Sequence, residues 1–152
     1  YGAKLPEGDS WKKRMLAECD LDLERTHFMG HLPRPDYMRV LQASQAHVYL
    51  TAPFVLSWSM LEAMSTGCAI VGNDVAPIAE FVTHERSGLL TDFHSPDSIA
   101  AGVERMLDDR ELAAALGANA REVIRATYDL EQVFADKKRM LEELLGARAR
   151  RA

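Results

Sequence analysis

Residues 46–72, AHVYLTAPFVLSWSMLEAMSTGCAIVG, carry the reading from which the fold follows. Ala46-His47-Val48-Tyr49-Leu50-Thr51 has the β-branched and aromatic content of a strand. A loop, Ala52 to Leu56, comes next. Ser57 to Ser65 then reads as a helix, stopped by Gly67 at the position after its C-cap. Ala69-Ile70-Val71-Gly72 is a continuous apolar run, which suits a strand covered on both faces. Strand, helix and strand in this order form a crossover unit, which joins parallel strands.

The same alternation extends outward. Upstream, Asp9 to Glu18 reads as a helix, capped by Asp9 or Ser10, with Trp11, Met15 and Leu16 on one face. Thr26 to Gly30 reads as a short strand, and Pro35 to Ser44 as a helix with Tyr37, Val40 and Leu41 as its stripe. Downstream, Pro77 to Val82 predicts a short helix with proline in its first turn. Gly88 to Phe93 predicts a strand. Ser95 or Asp97 caps a helix running to Leu107. Glu111 to Thr127 and Leu130 to Leu145 predict two further amphipathic helices. Strands alternating with helices predict an α/β fold with a parallel sheet.

Composition narrows the function classes. The 152 residues fit one domain, and 47% hydrophobic with 27% charged residues excludes a disordered chain. A net charge of −5 argues against nucleic acid as a partner. No apolar run reaches the ~18 residues of a membrane helix. The two cysteines, Cys19 and Cys68, match no metal spacing or disulfide framework, which fits a reducing, cytoplasmic setting. Cys68 reads as an inert core thiol. Arg148, Arg150 and Arg151 read as a frayed basic tail.

In an open α/β sheet ligands bind beyond the carboxyl ends of the strands. Four segments fall there: Gly30 to Pro33, Thr51 to Ser59, Asn73 to Pro77 and Asp92 to Ser95. In the second, the helix opening at Ser57 offers unpaired amides and the positive end of its dipole, a place for a phosphate. Glu62, about one turn on, can accept two ribose hydroxyls. Taken alone, Glu62 reads as a solvated or capping carboxylate, and Trp58 reads as core. The chain lacks the Gly-Lys-Ser/Thr and Gly-x-Gly-x-x-Gly phosphate loops, and Ser57 and Ser59 lack a hydrolase frame. Its five histidines (27, 31, 47, 84 and 94) show no paired spacing, so no metal is assigned. His27 and His47 read as structural strand residues. His31 sits on a strand-end loop. Glu80 reads as a helix-end charge.

At Ser44 to Gly67 the chain resembles the C-terminal, donor-binding domain of family 4 glycosyltransferases, which have the two-domain GT-B architecture. Leu61-Glu62-Ala63-Met64-Ser65-Thr66-Gly67 is the strongest piece. Ala69-Ile70-Val71, Pro77-Ile78-Ala79-Glu80, Ser87-Gly88-Leu89-Leu90, Pro96 to Leu107 and Leu116 to Arg121 look similar to later segments of that domain. The resemblance spans about Thr26 to Tyr128. It implies a three-layer, Rossmann-like, doubly wound parallel sheet over residues 1–152, one half of a GT-B fold. By the same resemblance the first strand and helix and the N-terminal acceptor domain are missing. The opening at Tyr1 without methionine fits a piece cut from something longer.

The function implied is the donor half of a retaining glycosyltransferase. Such an enzyme moves a sugar from a nucleoside diphosphate sugar to an acceptor hydroxyl without metal or other cofactor. The resemblance places Glu62 on the donor ribose, the amides of Leu56, Ser57, Trp58 and Ser59 on sugar and diphosphate, and Gly30, His31 and Leu32 near the base. Three departures stand out. Phe54 occupies the place of a second glutamate eight residues before Glu62. Ser57 replaces a glycine. The basic pair that neutralises the diphosphate has no match at Lys4, Lys12 or Lys13. The fragment alone is therefore expected to be inactive, and Phe54 keeps open a non-catalytic nucleotide-sugar-binding or assembly module as the alternative. A receiver-like or flavin-binding domain has little support, because the acidic cluster and lysine of a receiver are not visible at the strand ends. The full-length protein is expected in the cytoplasm, with a peripheral membrane association left open. The last helix resembles a crossover helix. Its face of Phe134, Met140, Leu141 and Leu144 is expected to pack on the fragment itself or to mediate self-association.

Overall fold

The structure is a computed structural model, and it describes residues 10–52 and 56–149, with side chains through residue 146. The chain divides into two compact units, residues 1–33 and 34–152.

The described part of the first unit contains one helix, α1 (Trp11–Glu18). Ser10 caps it, its side chain accepting the Lys13 amide at 3.2 Å. Trp11, Met15 and Leu16 share a face, as their spacing predicts, yet all three are exposed. Thr26 to Gly30 is not a strand. A strand persists when its amides find a neighbour, and no strand pairs with this segment among the described residues. Phe28 and Met29 remain exposed, and the Lys12 ammonium lies 4.9 Å from the centre of the Phe28 ring.

The second unit holds a parallel three-stranded sheet in the order β1 (Ala46–Tyr49), β2 (Ala69–Asn73), β3 (Leu89–Thr91). Ala46 pairs with Ala69 and Tyr49 with Gly72; Val71 pairs with Leu89 and Asn73 with Thr91. Three consecutive strands in chain order are the pattern of one half of a doubly wound sheet. Strands β1 and β3 are shorter than their sequence patterns, because Leu50, Thr51, Asp92 and Phe93 extend past the paired region into the loops.

Every residue of β2 is buried, and its side chains alternate between two cores. Ile70 points to one, built with Leu41 of α2 (Arg34–Ala43), Met60, Ala63 and Met64 of α3 (Trp58–Ser65), and Ile78 of α4 (Ala76–Ala79). Ala69 and Val71 point to the other, built with Met106 of α5 (Pro96–Asp108) and with Ala113 and Leu116 of α6 (Arg110–Tyr128). Helices thus cover both faces, giving three layers. Ser95, rather than Asp97, caps α5, and Asp109 caps α6. Helix α6 passes close to the entry of β2. A Cβ on Gly117 would lie 2.1 Å from the Gly67 carbonyl oxygen, and Gly67 has φ +80°, so two backbones meet where side chains do not fit.

Helix α7 runs from Leu130 to Ala149, so Arg148 extends the helix instead of fraying, while Arg150 and Arg151 lie outside the described residues. Of the two expectations for its apolar face, packing on the fragment itself is not met. Phe134, Met140, Leu141, Leu144 and Leu145 are all more than half exposed. Among the described residues neither buried core includes a residue of α7.

Candidate functional site

The exit of β1 leads into α3, and two hydroxyls define the helix start. Ser57 is the N-cap, with extended backbone (φ −82°, ψ 142°). Its Oγ accepts the Ser59 amide at 3.3 Å and lies 3.0 Å from the Ser59 hydroxyl. The Ser57 amide itself donates to the Tyr49 hydroxyl at 2.8 Å. The expected open row of amides is therefore half occupied: Ser57 and Ser59 donate to hydroxyls of the chain. The cap bond is long for an N–H to oxygen contact, so a stronger acceptor can displace it.

Trp58 is 79% exposed, which overturns its reading as a core residue. It is the first residue of α3 and projects away from the buried stripe of Met60, Ala63 and Met64. Leu56 is half-buried against the Ile70 core. Phe54 lies outside the described residues. Gly30, His31 and Leu32 belong to the first unit. There Gly30 has φ +64°, Gly30 and His31 are exposed, and Leu32 is half-buried.

Glu62 does not point into the apolar interior. Its side chain retains 23% exposure and accepts from Arg34 Nη1 at 2.6 Å. Arg34 opens α2, so the pair joins two helices that the chain separates by 28 residues. The guanidinium is 72% exposed, and a pair this wet contributes at most about 1 kcal/mol to stability. Its effect is to fix where the carboxylate points. One turn along α2, the Tyr37 hydroxyl is buried and makes no hydrogen bond of ordinary geometry. Burial raises its pKa first, and the neighbouring Glu62 charge raises it further. Glu62 is thus flanked by a guanidinium and a phenol, with room left on the carboxylate for a hydroxyl-bearing ligand. Sequence reasoning missed Arg34 and treated Tyr37 as stripe. The overlooked signal was a tyrosine one helical turn after an arginine at a helix start.

Two other strand-end segments converge beyond the sheet. Asn73 is fully buried, and its side-chain amide donates to the Thr51 carbonyl at 2.9 Å and accepts the Thr51 amide at 2.8 Å. This double bond-pair extends the β1–β2 ladder by one step without backbone pairing. Thr91 Oγ1 donates to the Gly72 carbonyl, and the Asp74 amide donates to the Thr91 carbonyl. These bonds frame a pocket of about 440 Å³ at the carboxyl ends of all three strands. Glu62, Ser57 and Trp58 are not among its lining residues.

The remaining candidates are peripheral. His47, in β1, is half-buried, and burial lowers its pKa. His27 is exposed and lies in no strand. His84 Nδ1 accepts the Leu90 amide at 2.9 Å. Cys68 is buried, with its thiol pushed up to about 11, and Cys19 is exposed. Glu80 is the exposed C-cap of α4. Among the described residues no group of three or more histidine, cysteine or acidic side chains is placed to hold a metal, and no helix is long and apolar enough to cross a membrane.

The comparisons with known proteins agree with this architecture. Residues 7–123 match the family described as Glycosyl transferases group 1. A GDP-mannose-dependent alpha-(1-6)-phosphatidylinositol monomannoside mannosyltransferase of Mycobacterium tuberculosis is 35% identical over 75 residues, covering 49% of this chain and 20% of that protein. Sucrose-phosphate synthase of Thermosynechococcus elongatus superposes with a TM-score of 0.75 at 23% identity, over 82% of this chain and 31% of that one. The Anabaena HepE protein in complex with UDP-glucose superposes with a TM-score of 0.71 at 20% identity, over 80% and 33%. The chain therefore spans between a fifth and a third of these proteins. The parallel sheet with helices on both faces is that of GT-B glycosyltransferases, and the chain belongs to the Glycosyl transferases group 1 family.

Proposed function

We propose that this chain is the donor-binding C-terminal domain of a retaining, metal-independent glycosyltransferase that acts together with an N-terminal acceptor domain. The observation that carries the reading is Glu62. It is a partly exposed carboxylate, aimed by Arg34 and flanked by the Tyr37 hydroxyl, on the helix that starts at the exit of β1. A carboxylate so held accepts the vicinal hydroxyls of a ribose through charge-assisted hydrogen bonds. The start of α3 would receive the diphosphate, which takes over the Ser59 amide from the Ser57 hydroxyl. The donors seen with similar proteins differ in base and sugar, GDP-mannose in one name and UDP-glucose in another, so the donor of this chain is left to the test.

In the complete enzyme the bond from the sugar's anomeric carbon to the diphosphate breaks and a bond to the acceptor hydroxyl forms. The hydroxyl's proton and the leaving diphosphate's charge both need partners. Beyond the amides of the α3 start, the only positive charge among the described residues there is Arg34, which is held by Glu62. Orientation of the acceptor, worth ~7–11 kcal/mol, requires a surface that brings it to the sugar. The chain by itself is therefore a weak binder without turnover.

Calorimetric titration with UDP, GDP and ADP, each beside its 2′,3′-dideoxy analogue, tests the reading. At least one ribonucleotide should bind in the millimolar range or better and about tenfold more tightly than its dideoxy form. Glu62→Gln should erase that difference. No binding by any of the three, or a ribose preference that survives in Glu62→Gln, would overturn the proposal. Release of free sugar from a nucleotide sugar by this chain alone would refute its inactivity.

A further inference from the structure

We infer that the pocket beyond the ends of β1, β2 and β3 is a second ligand site, separate from the start of α3, and that it takes a neutral polyhydroxylated ring of monosaccharide size.

The pocket is built on rigid parts. Asn73 joins the exit of β1 to β2 through two hydrogen bonds, and Thr91 joins β3 to β2 through its hydroxyl. The Asp92 amide donates to Ser98 Oγ on α5, and the His94 amide donates to Asp92 Oδ1, which fixes the loop after β3. A site held this way keeps its shape before a ligand arrives.

Its chemistry selects the ligand class. The lining combines hydroxyls of Thr51, Thr91 and Ser98 with the carboxylates of Asp74 and Asp92 and the ring of Phe93. The Asp74 carboxylate has no hydrogen-bond or ion-pair partner among the described residues, while its own amide is anchored to Thr91. Among the described residues no lysine or arginine lines the pocket, and the carboxylates of Asp74 and Asp92 disfavour an anionic phosphate. A metal is not favoured either, because among the described residues these acids gather no third ligand. Carboxylates accept sugar hydroxyls strongly. Phe93, 41% exposed and in a T-shaped contact with the His94 ring at 5.1 Å, adds an exposed aromatic ring that the C–H side of a pyranose can pack against. The volume of about 440 Å³ lies at the low end of ligand sites, which run from roughly 300 to 1,000 Å³. It suits one ring better than a whole nucleotide sugar.

None of the lining residues belongs to the proposed nucleotide site, so this inference stands or falls without it. Amide shifts of the ¹⁵N-labelled chain are followed while glucose, galactose, mannose and their methyl glycosides are added, with UDP and inorganic phosphate as parallel titrations. A free sugar and a glycan end are told apart by whether the methyl glycoside still binds. At least one sugar should move the amides of Asp74, Thr91, Asp92 and Phe93, and phosphate should not. Asp74→Asn keeps the side-chain shape, and Phe93→Ala alters a half-exposed ring; each should weaken that sugar about tenfold with the rest of the spectrum unchanged. Absence of sugar-induced shifts in the pocket, equal binding by both variants, or the same shifts with UDP or phosphate would overturn the inference.

Discussion

Replacing Ser57 by glycine separates the capping role of this residue from the binding role of the amides beneath it. In the free chain Ser57 Oγ holds the Ser59 amide at 3.3 Å and contacts the Ser59 hydroxyl at 3.0 Å. A cap bond that long is weak, and glycine is itself tolerated at N-cap positions, so Ser57→Gly should cost only a few tenths of a kcal/mol of stability. The Ser57 amide bond to Tyr49 uses backbone and survives the change. What the substitution releases is one amide and one hydroxyl at the positive end of α3. A hydrogen bond from such a donor to a charged phosphate oxygen is worth roughly 1.5–3 kcal/mol. Part of this is lost to the added freedom of glycine at 57, by about 0.5–1 kcal/mol. The balance is about 1.4 kcal/mol, so UDP or GDP should bind on the order of tenfold more tightly to Ser57→Gly than to the parent chain. Nucleosides, which lack the diphosphate, should bind both alike. Calorimetry reads the affinities and urea unfolding reads the stability. An intact fold with unchanged or weaker diphosphate affinity would show that the phosphates do not lie over this helix start.

Further consequences concern the scaffold and its titrating groups. Gly117→Ala places a Cβ 2.1 Å from the Gly67 carbonyl oxygen, a clash between backbones that no side-chain rotation relieves, and should destabilise the chain by about 1–3 kcal/mol in urea unfolding despite alanine's better helix propensity. Near-neutral stability would mean that α6 and the β2 entry are not packed this way. His47 has a folded pKa below its ordinary value, so the unfolded chain binds its proton more readily; stability from this residue is full above about pH 6.5 and is lost as pH falls from there through the lower folded pKa. His47→Gln should flatten the loss of thermal stability between neutral and mildly acid pH, and an unaltered slope would refute the assignment. With its thiol pushed up to about 11, Cys68 should resist iodoacetamide at pH 8 while the exposed Cys19 reacts, so mass spectrometry of the native chain should show one adduct and of the urea-unfolded chain two. Arg34→Met should leave stability within about 1 kcal/mol, since the pair it breaks is largely exposed, yet weaken ribonucleotide binding by freeing the Glu62 carboxylate to rotate. Equal nucleotide affinity would show that Arg34 does not position Glu62.

What could be read in advance follows from how local each feature is. The crossover unit from Ala46 to Gly72 was legible because each of its signals is carried by a few adjacent residues: the Ser57 cap, the buried helix face of Met60, Ala63 and Met64, Gly67 at positive φ, and the apolar run of β2. Thr26 to Gly30 has the same local strand signals, but a strand is a property of a pair, and the partner is not written in its own residues. The burial of Trp58 failed for a related reason. Its type suggested core, whereas its position one residue after the cap turns it away from the stripe that Ile70 covers.

The site shows the same division between local and long-range information. Glu62 was visible because it sits in a run of seven residues with a family pattern, Leu61 to Gly67. The groups that give its carboxylate a direction, Arg34 and Tyr37, come from another helix, and their meeting depends on α2 and α3 both packing on the Ile70 core. The amides at Ser57 present the opposite case. Sequence identified them correctly as a helix start, but a serine that caps a helix also consumes what a ligand would use. The residue type that marks such a start most clearly is therefore the one that competes with phosphate for it. A glycine at that place would make the start harder to see and easier to bind. That trade makes affinity, measured beside stability in the same variant, the quantity that separates a capped helix from a donor site.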